Sequence, residues 1–215
     1  MLYSPYPYRN KMSEFDAKAR DWDKNKRFID RSEAVAKAIK QMIPLTKNMK
    51  ALEYGSGTAL LSFALKDEFA HITLMDNSRE MTMVTEEKIA EQSIPNMKAL
   101  FFDLEHQDFD DQFDIIYNQM VMHHVMDVDA VLNKFYSLLS PGGYLAIADL
   151  YAEDGTFHGE GFTGHRGFQV EHLAGKLKSA GFGNIEHQPC YSMEKTDELG
   201  HTVQYPIFLL TAVKN

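Results

Sequence analysis

The chain has 215 residues, 44% hydrophobic and 25% charged, ordinary proportions that exclude general disorder. Lys and Arg number 22 against 31 Asp and Glu, and the resulting charge of −9 opposes non-specific attraction to nucleic acid or anionic lipid. A single cysteine, Cys190, excludes an intrachain disulfide or a cysteine metal cluster, and no apolar run approaches the ~20 residues of a membrane-spanning helix.

Residues 1–12, with three tyrosines and two prolines, read as an extended arm. A stretch from Met1 to Arg20 that is polar and aromatic lacks the apolar core of a signal peptide, so a cytoplasmic setting is expected. A helical piece is predicted over 14–28, with Phe15, Ala19 and Trp22 along one side. A second helix is predicted to start at a Ser32 cap, carry Val35, Ala38, Ile39 and Met42 at helical spacing, and end before Pro44. Strands then alternate with helices. Lys50 to Tyr54 reads as a short buried strand, followed by Gly55-Ser56-Gly57 and a helix over 59–65. His71 to Met75 is a strand closed by Asp76, with a helix over 79–92. Strands at 97–102 and 113–117 end at Asp103 and Asn118, a helix spans 128–139, and Pro141-Gly142-Gly143 turns the chain into a strand at 144–148 ending at Asp149. A glycine-rich stretch, 150–167, interrupts the rhythm as a candidate lid or a surface loop. A helix over 170–180 and strands near 184–191 and 203–213 complete the chain. Such alternation predicts an α/β fold with a mostly parallel sheet covered on both faces.

The glycine turn is the strongest local signal. Gly55 can take backbone angles closed to other residues, and Gly57 lets a ligand approach the main chain. A Gly-x-Gly after a strand is weak evidence alone, but Asp76 stands 21 residues beyond Gly55, at the end of the next strand. An aspartate there can accept both ribose hydroxyls of an adenosine. Leu60 occupies the third-glycine position of a dinucleotide fingerprint, and no Gly-x-x-x-x-Gly-Lys-Ser/Thr exists to cradle a triphosphate. Glu53, just before the turn, would repel a pyrophosphate but suits a cationic amino-acid group. S-adenosyl-L-methionine combines an ammonium, a sulfonium and a ribose diol without phosphate.

Glu53-x-Gly55-x-Gly57, Asp76, Phe102-Asp103-Leu104, Ile115-Ile116-Tyr117-Asn118 and Pro141-Gly142-Gly143-Tyr144-Leu145 resemble the ordered motifs of class I S-adenosylmethionine-dependent methyltransferases over roughly residues 45–212. Phe15-Asp16-x-x-Ala19-x-x-Trp22-Asp23 is similar to the opening of the branch containing ubiquinone and menaquinone biosynthesis methyltransferases. Ala59 replaces a third glycine common in the first motif, a departure that a helix start would absorb. The resemblance implies a Rossmann-like, doubly wound, seven-stranded sheet in order 3-2-1-4-5-7-6, its last strand antiparallel. It implies an arm and helical cap at 1–44 and a methyltransferase domain at 45–215, with 150–167 covering the substrate side. It also places Glu53, Gly55 and Gly57 at the methionine end of the cofactor, Asp76 and Asn77 at the ribose, Asp103 and Leu104 at the adenine, and Asn118 and Met120 beside the methionine moiety.

Direct displacement of a sulfonium methyl needs an aligned nucleophile and, for some acceptors, a proton acceptor. His165, in the glycine-rich insert, is the preferred base or orienting residue, with His123 and His124 as further candidates. Together with His158 these histidines lack a metal-binding spacing, so no metal is expected. Tyr3, Tyr6 and Tyr8 with Trp22 can either close the pocket or cover the body. The implied acceptor is a small molecule, and a monomer and a homodimer are both compatible with the sequence. A nicotinamide-dependent oxidoreductase and a cofactor-binding protein without turnover are the alternatives.

Overall fold

The computed structural model describes residues 14–196 and 201–215; the tyrosines at positions 3, 6 and 8 lie outside the described residues. The elements run α1 (Glu14–Lys18), a 3-10 segment (Ala19–Lys24), α2 (Lys26–Met42), β1 (Lys50–Tyr54), α3 (Leu60–Leu65), β2 (His71–Asp76), α4 (Arg79–Glu91), β3 (Met97–Phe101) and β4 (Phe113–Gln119). They continue with α5 (Val128–Leu138), β5 (Leu139–Leu150), α6 (Val170–Ser179), β6 (Phe182–Thr196) and β7 (Thr202–Lys214).

The seven strands form one sheet in the order β3-β2-β1-β4-β5-β7-β6, and β7 pairs antiparallel with both β5 and β6. This is the expected topology. Its central strands β1, β2 and β4 are mostly buried because both faces are covered there. On one face Ile39 and Val35 of α2 and Leu61 and Leu65 of α3 pack on Ile72, Ile115, Tyr117 and Leu209. On the other, Val131, Leu132 and Phe135 of α5 and Leu173 and Leu177 of α6 pack on Leu52, Ile116, Ile147 and Phe208. Within the span of β5, pairing jumps from Phe113↔Leu139 to Ile115↔Tyr144, so Pro141-Gly142-Gly143 bulges out of the ladder.

The N-terminal helices differ from expectation. The break falls at Asn25, whose side chain accepts from the Arg27 backbone N–H at 3.1 Å and caps α2. Ser32 is mid-helix, and its hydroxyl donates to the Phe28 carbonyl at 2.9 Å. A serine that satisfies itself on the preceding turn gives the same local signal as a cap. The terminal strands are longer than predicted, because β6 and β7 sustain their pairing out to Thr196↔Thr202.

Candidate active site

The turn after β1 is built by main-chain angles that side chains oppose. Gly55 has φ +66°, and a Cβ there would lie 2.5 Å from Val121 Cγ2, so this glycine is demanded by packing. Gly57 has φ +54°, and a Cβ there would meet only Met81 Sδ at 3.9 Å, leaving the main chain open to approach. Ala59 also takes the left-handed conformation, φ 63°, and α3 starts only at Leu60. The helix therefore does not absorb the missing glycine; Ala59 carries the strain that a glycine would avoid.

Asp76, at the tip of β2, fastens this turn. One carboxylate oxygen accepts from Gly57 N–H and the other from Ser78 N–H, both at 2.7 Å. Burial raises its pKa, opposed by these backbone bonds. The N-terminal segment is stapled onto the same loops. Asp23 accepts from Thr58 Oγ1 at 2.5 Å and pairs with Lys88 at 2.6 Å, while Asp16 accepts from Ser78 Oγ at 2.6 Å. Phe15, Trp22 and Phe28 form a chain of ring contacts at 6.2 and 4.6 Å.

Between that cap and the strand ends lies a cavity of about 670 Å³. Of the residues singled out from sequence, Gly55, Gly57, Asp76, Asn77, Asp103, Leu104, Met120, His123 and His124 line it. Glu53 and Asn118 sit fully buried behind the wall. Glu53 accepts from the Ser62 hydroxyl, which is also bonded to Tyr117 OH at 2.6 Å, and burial pushes its carboxyl up to about 8. The second oxygen of Glu53 and both amide atoms of Asn118 have no hydrogen-bond partner among the described residues. Asp103 is engaged through both oxygens with its own turn, one accepting from Glu105 N–H at 3.1 Å and the other lying 2.8 Å from His106 Nδ1. Met120 has φ 56°, a conformation costly for a side-chain-bearing residue, and donates its N–H to the Ala148 carbonyl at 2.8 Å.

His165 is not part of the cavity lining. Its Nε2 lies 3.0 Å from the Val125 carbonyl, and its backbone N–H donates to the His123 carbonyl at 2.7 Å. It ties the 150–167 segment down. His158 from that segment lines the cavity instead, stacked on Phe162 with centroids 3.8 Å apart. His123 is buried with Nδ1 2.6 Å from Asp149, so its ring is oriented by a carboxylate. Burial, then the neighbouring His123 and His158, lower His124 to about 3, which keeps its ring neutral. The three histidines offer ring nitrogens within 4.8 Å of one another, a gathering able to hold a transition-metal ion or to relay a proton. Four scattered histidines gave no such signal in sequence. Arg31, Gln119 and Asp149 were also missed: each belongs to a regular element, where only tertiary packing shows which way it faces.

The residues fit S-adenosylmethionine. An open glycine turn, a carboxylate beside it, and an acid with a partnerless oxygen behind it suit a ligand carrying a diol and a cationic amino acid, without phosphate.

A model of the methyltransferase domain family matches residues 45–195. An uncharacterized methyltransferase of Schizosaccharomyces pombe is 32% identical over 155 residues, 64% of this chain and 55% of that protein. Demethylmenaquinone methyltransferase of Listeria monocytogenes is 29% identical over 117 residues, 53% of this chain and 49% of that protein. The chain thus spans about half the length of these curated relatives. Among solved structures, phosphoethanolamine N-methyltransferase 2 of Haemonchus contortus, in complex with phosphomonomethylethanolamine and S-adenosylhomocysteine, shares the fold. It aligns with a TM-score of 0.71 at 17% identity, over 98% of this chain and 61% of its own. The chain belongs to the methyltransferase domain family and has the class I S-adenosylmethionine-dependent methyltransferase fold.

Proposed function

We propose that this chain transfers a methyl group from S-adenosylmethionine to a small-molecule acceptor. The observation that carries the reading is the coupling of Gly57 to Asp76 at the mouth of a cavity of about 670 Å³, within a family match over residues 45–195. The cofactor supplies an electrophilic methyl on a sulfonium, and the acceptor's new bond to that carbon forms as the carbon–sulfur bond breaks, its electron pair passing to sulfur. The protein's part is placement and a dry, polar wall.

In this reading Gly55 and Gly57 shape the turn, Glu53 and Asn118 back the methionine end, and Met120 flanks it. Asp76 and Asn77 receive the ribose, and Asp103 and Leu104 bound the adenine. On the acceptor side Asp149 orients His123, while neutral His124 orients a donor group without taking up its proton. His158 replaces His165 as the residue placed to accept a proton, with His165 anchoring the 150–167 cover. The Phe15–Asp23 opening and the Listeria relative support kinship with the ubiquinone and menaquinone branch. No helix among the described residues is long and apolar enough to cross a membrane, and the reading includes a cytoplasmic setting.

Calorimetry with S-adenosylhomocysteine tests the cofactor assignment: the native chain should bind, and Asp76→Ala should bind about tenfold or more weakly. A folded, ligand-free chain that takes up nicotinamide dinucleotide instead would defeat it. Binding without turnover across a broad metabolite screen would favour the non-enzymatic alternative.

A further inference from the structure

Arg31 is a buried cation in the cavity wall that makes no ion pair among the described residues. It is 5% exposed, lies on α2 and forms part of the cavity wall. No ion pair among the described residues involves it. One terminal nitrogen lies 3.8 Å from the Met193 thioether, a weak acceptor, and Nε has no partner among the described residues. The ring of Phe28 lies 5.0 Å from the guanidinium carbon. Asp149 acts on Arg31 through space, but its oxygens already serve His123 and the Leu150 N–H. Keeping a guanidinium largely buried without an ion pair is a costly arrangement for a fold.

The neighbouring polar group is also incomplete. Gln119 lines the same cavity, donates to the hydroxyl of Ser32, the residue after Arg31, at 2.7 Å, and leaves its buried Oε1 without a partner among the described residues. A donor and an acceptor in the wall of one cavity thus lack partners among the described residues. The cavity's charge is divided to match. Asp76, Asp103 and Glu105 come from the strand ends near the glycine turn, Lys18 and Asp21 from the N-terminal cap, and Arg31 and Lys195 from α2 and β6. Lys195 already donates to the Phe157 carbonyl and Lys18 lies over the Phe15 ring, 6.0 Å from its centroid, whereas Arg31 is the buried cation of the wall.

Building on the methyltransferase reading, we propose that the methyl acceptor is an organic anion with an apolar or aromatic body, its carboxylate or phosphate received by Arg31 and an adjacent hydroxyl or amine by Gln119. A planar guanidinium donates two parallel bonds to either anion. Trp22 and Phe28 supply the apolar wall beside it. A neutral or cationic acceptor would leave Arg31 as costly as before.

The test incubates the full chain with methyl-labelled S-adenosylmethionine and a small-molecule extract, then separates products by anion exchange at neutral pH. Label should be retained as anion, and Arg31→Met should lower its formation about tenfold or more while S-adenosylhomocysteine affinity stays within about twofold. Because the guanidinium makes no ion pair among the described residues, Arg31→Met should keep or raise the melting temperature. A structural role would lower it and overturn the inference, as would label in neutral or cationic products or undiminished turnover by the variant. Phenylacetate and phenyl phosphate, each against its neutral amide or alcohol, give a second arm by calorimetry on the chain loaded with S-adenosylhomocysteine. Preference for one acid separates carboxylate from phosphate, and in a chain without detectable product, binding of neither overturns the inference. Failure to bind S-adenosylhomocysteine at all overturns the cofactor reading instead.

Discussion

Glu53 shows how one buried carboxyl couples stability to ligand charge. Loss of hydration holds it near 8 against an ordinary 4.5, and the Ser62 hydroxyl and distant Lys88 only partly oppose that. The folded chain therefore holds a proton that the unfolded chain has lost between these values. The stabilisation is complete below about pH 4.5 and disappears as pH rises through about 8, a change on the order of a few kcal/mol. Thermal melts of the ligand-free chain should show Glu53→Gln with a flatter profile from pH 5 to 8.5; parallel profiles would show that the carboxyl titrates normally. The position of this residue was legible from its place before a Gly-x-Gly. Its protonation was not, because desolvation comes from the sheet and helix packed around it. Arg31 was invisible for a similar reason: in sequence it is one more cation on a helix with Lys26, Arg27 and Lys37.

At the scale of elements, the 3-10 segment and α4 meet through Asp23, Thr58 and Lys88, so the cap and the glycine turn are one mechanical unit. Lys88 also donates to the Thr58 carbonyl at 2.7 Å, which leaves the turn partly held when the aspartate is lost. Asp23→Ala should cost about 1–2 kcal/mol, read as a lower melting temperature, and should speed limited proteolysis within residues 14–25. Unchanged cleavage there would mean that the ring contacts of Trp22 alone hold the segment. The strand–helix alternation was readable because buried apolar runs and glycine punctuation set it locally. The Asn25 break was not, since a capping asparagine competes on equal terms with Ser32 and only the packing of Val35 and Ile39 decides between them. The convergence of His123, His124 and His158 likewise depends on where a 150–167 segment folds back, a long-range event with no sequence period.

Across the molecule, the cavity lies between a rigid sheet end and two covers, the N-terminal segment and the 150–167 segment. Both covers contribute side chains to it, Phe15 and Trp22 from one and Phe157 and His158 from the other. Ligands bridging these parts should slow amide hydrogen exchange in 14–25 and 150–167 more than in β1 to β5, where the sheet already protects the backbone. Uniform protection would indicate global stabilisation without closure. The same arrangement has an optical consequence. Trp22 is the sole tryptophan of the chain, and it stands in the cavity wall 4.6 Å from Phe28. Indole emission from this protein therefore has one source, and its colour and quenching report the polarity of the reaction chamber with no dye attached.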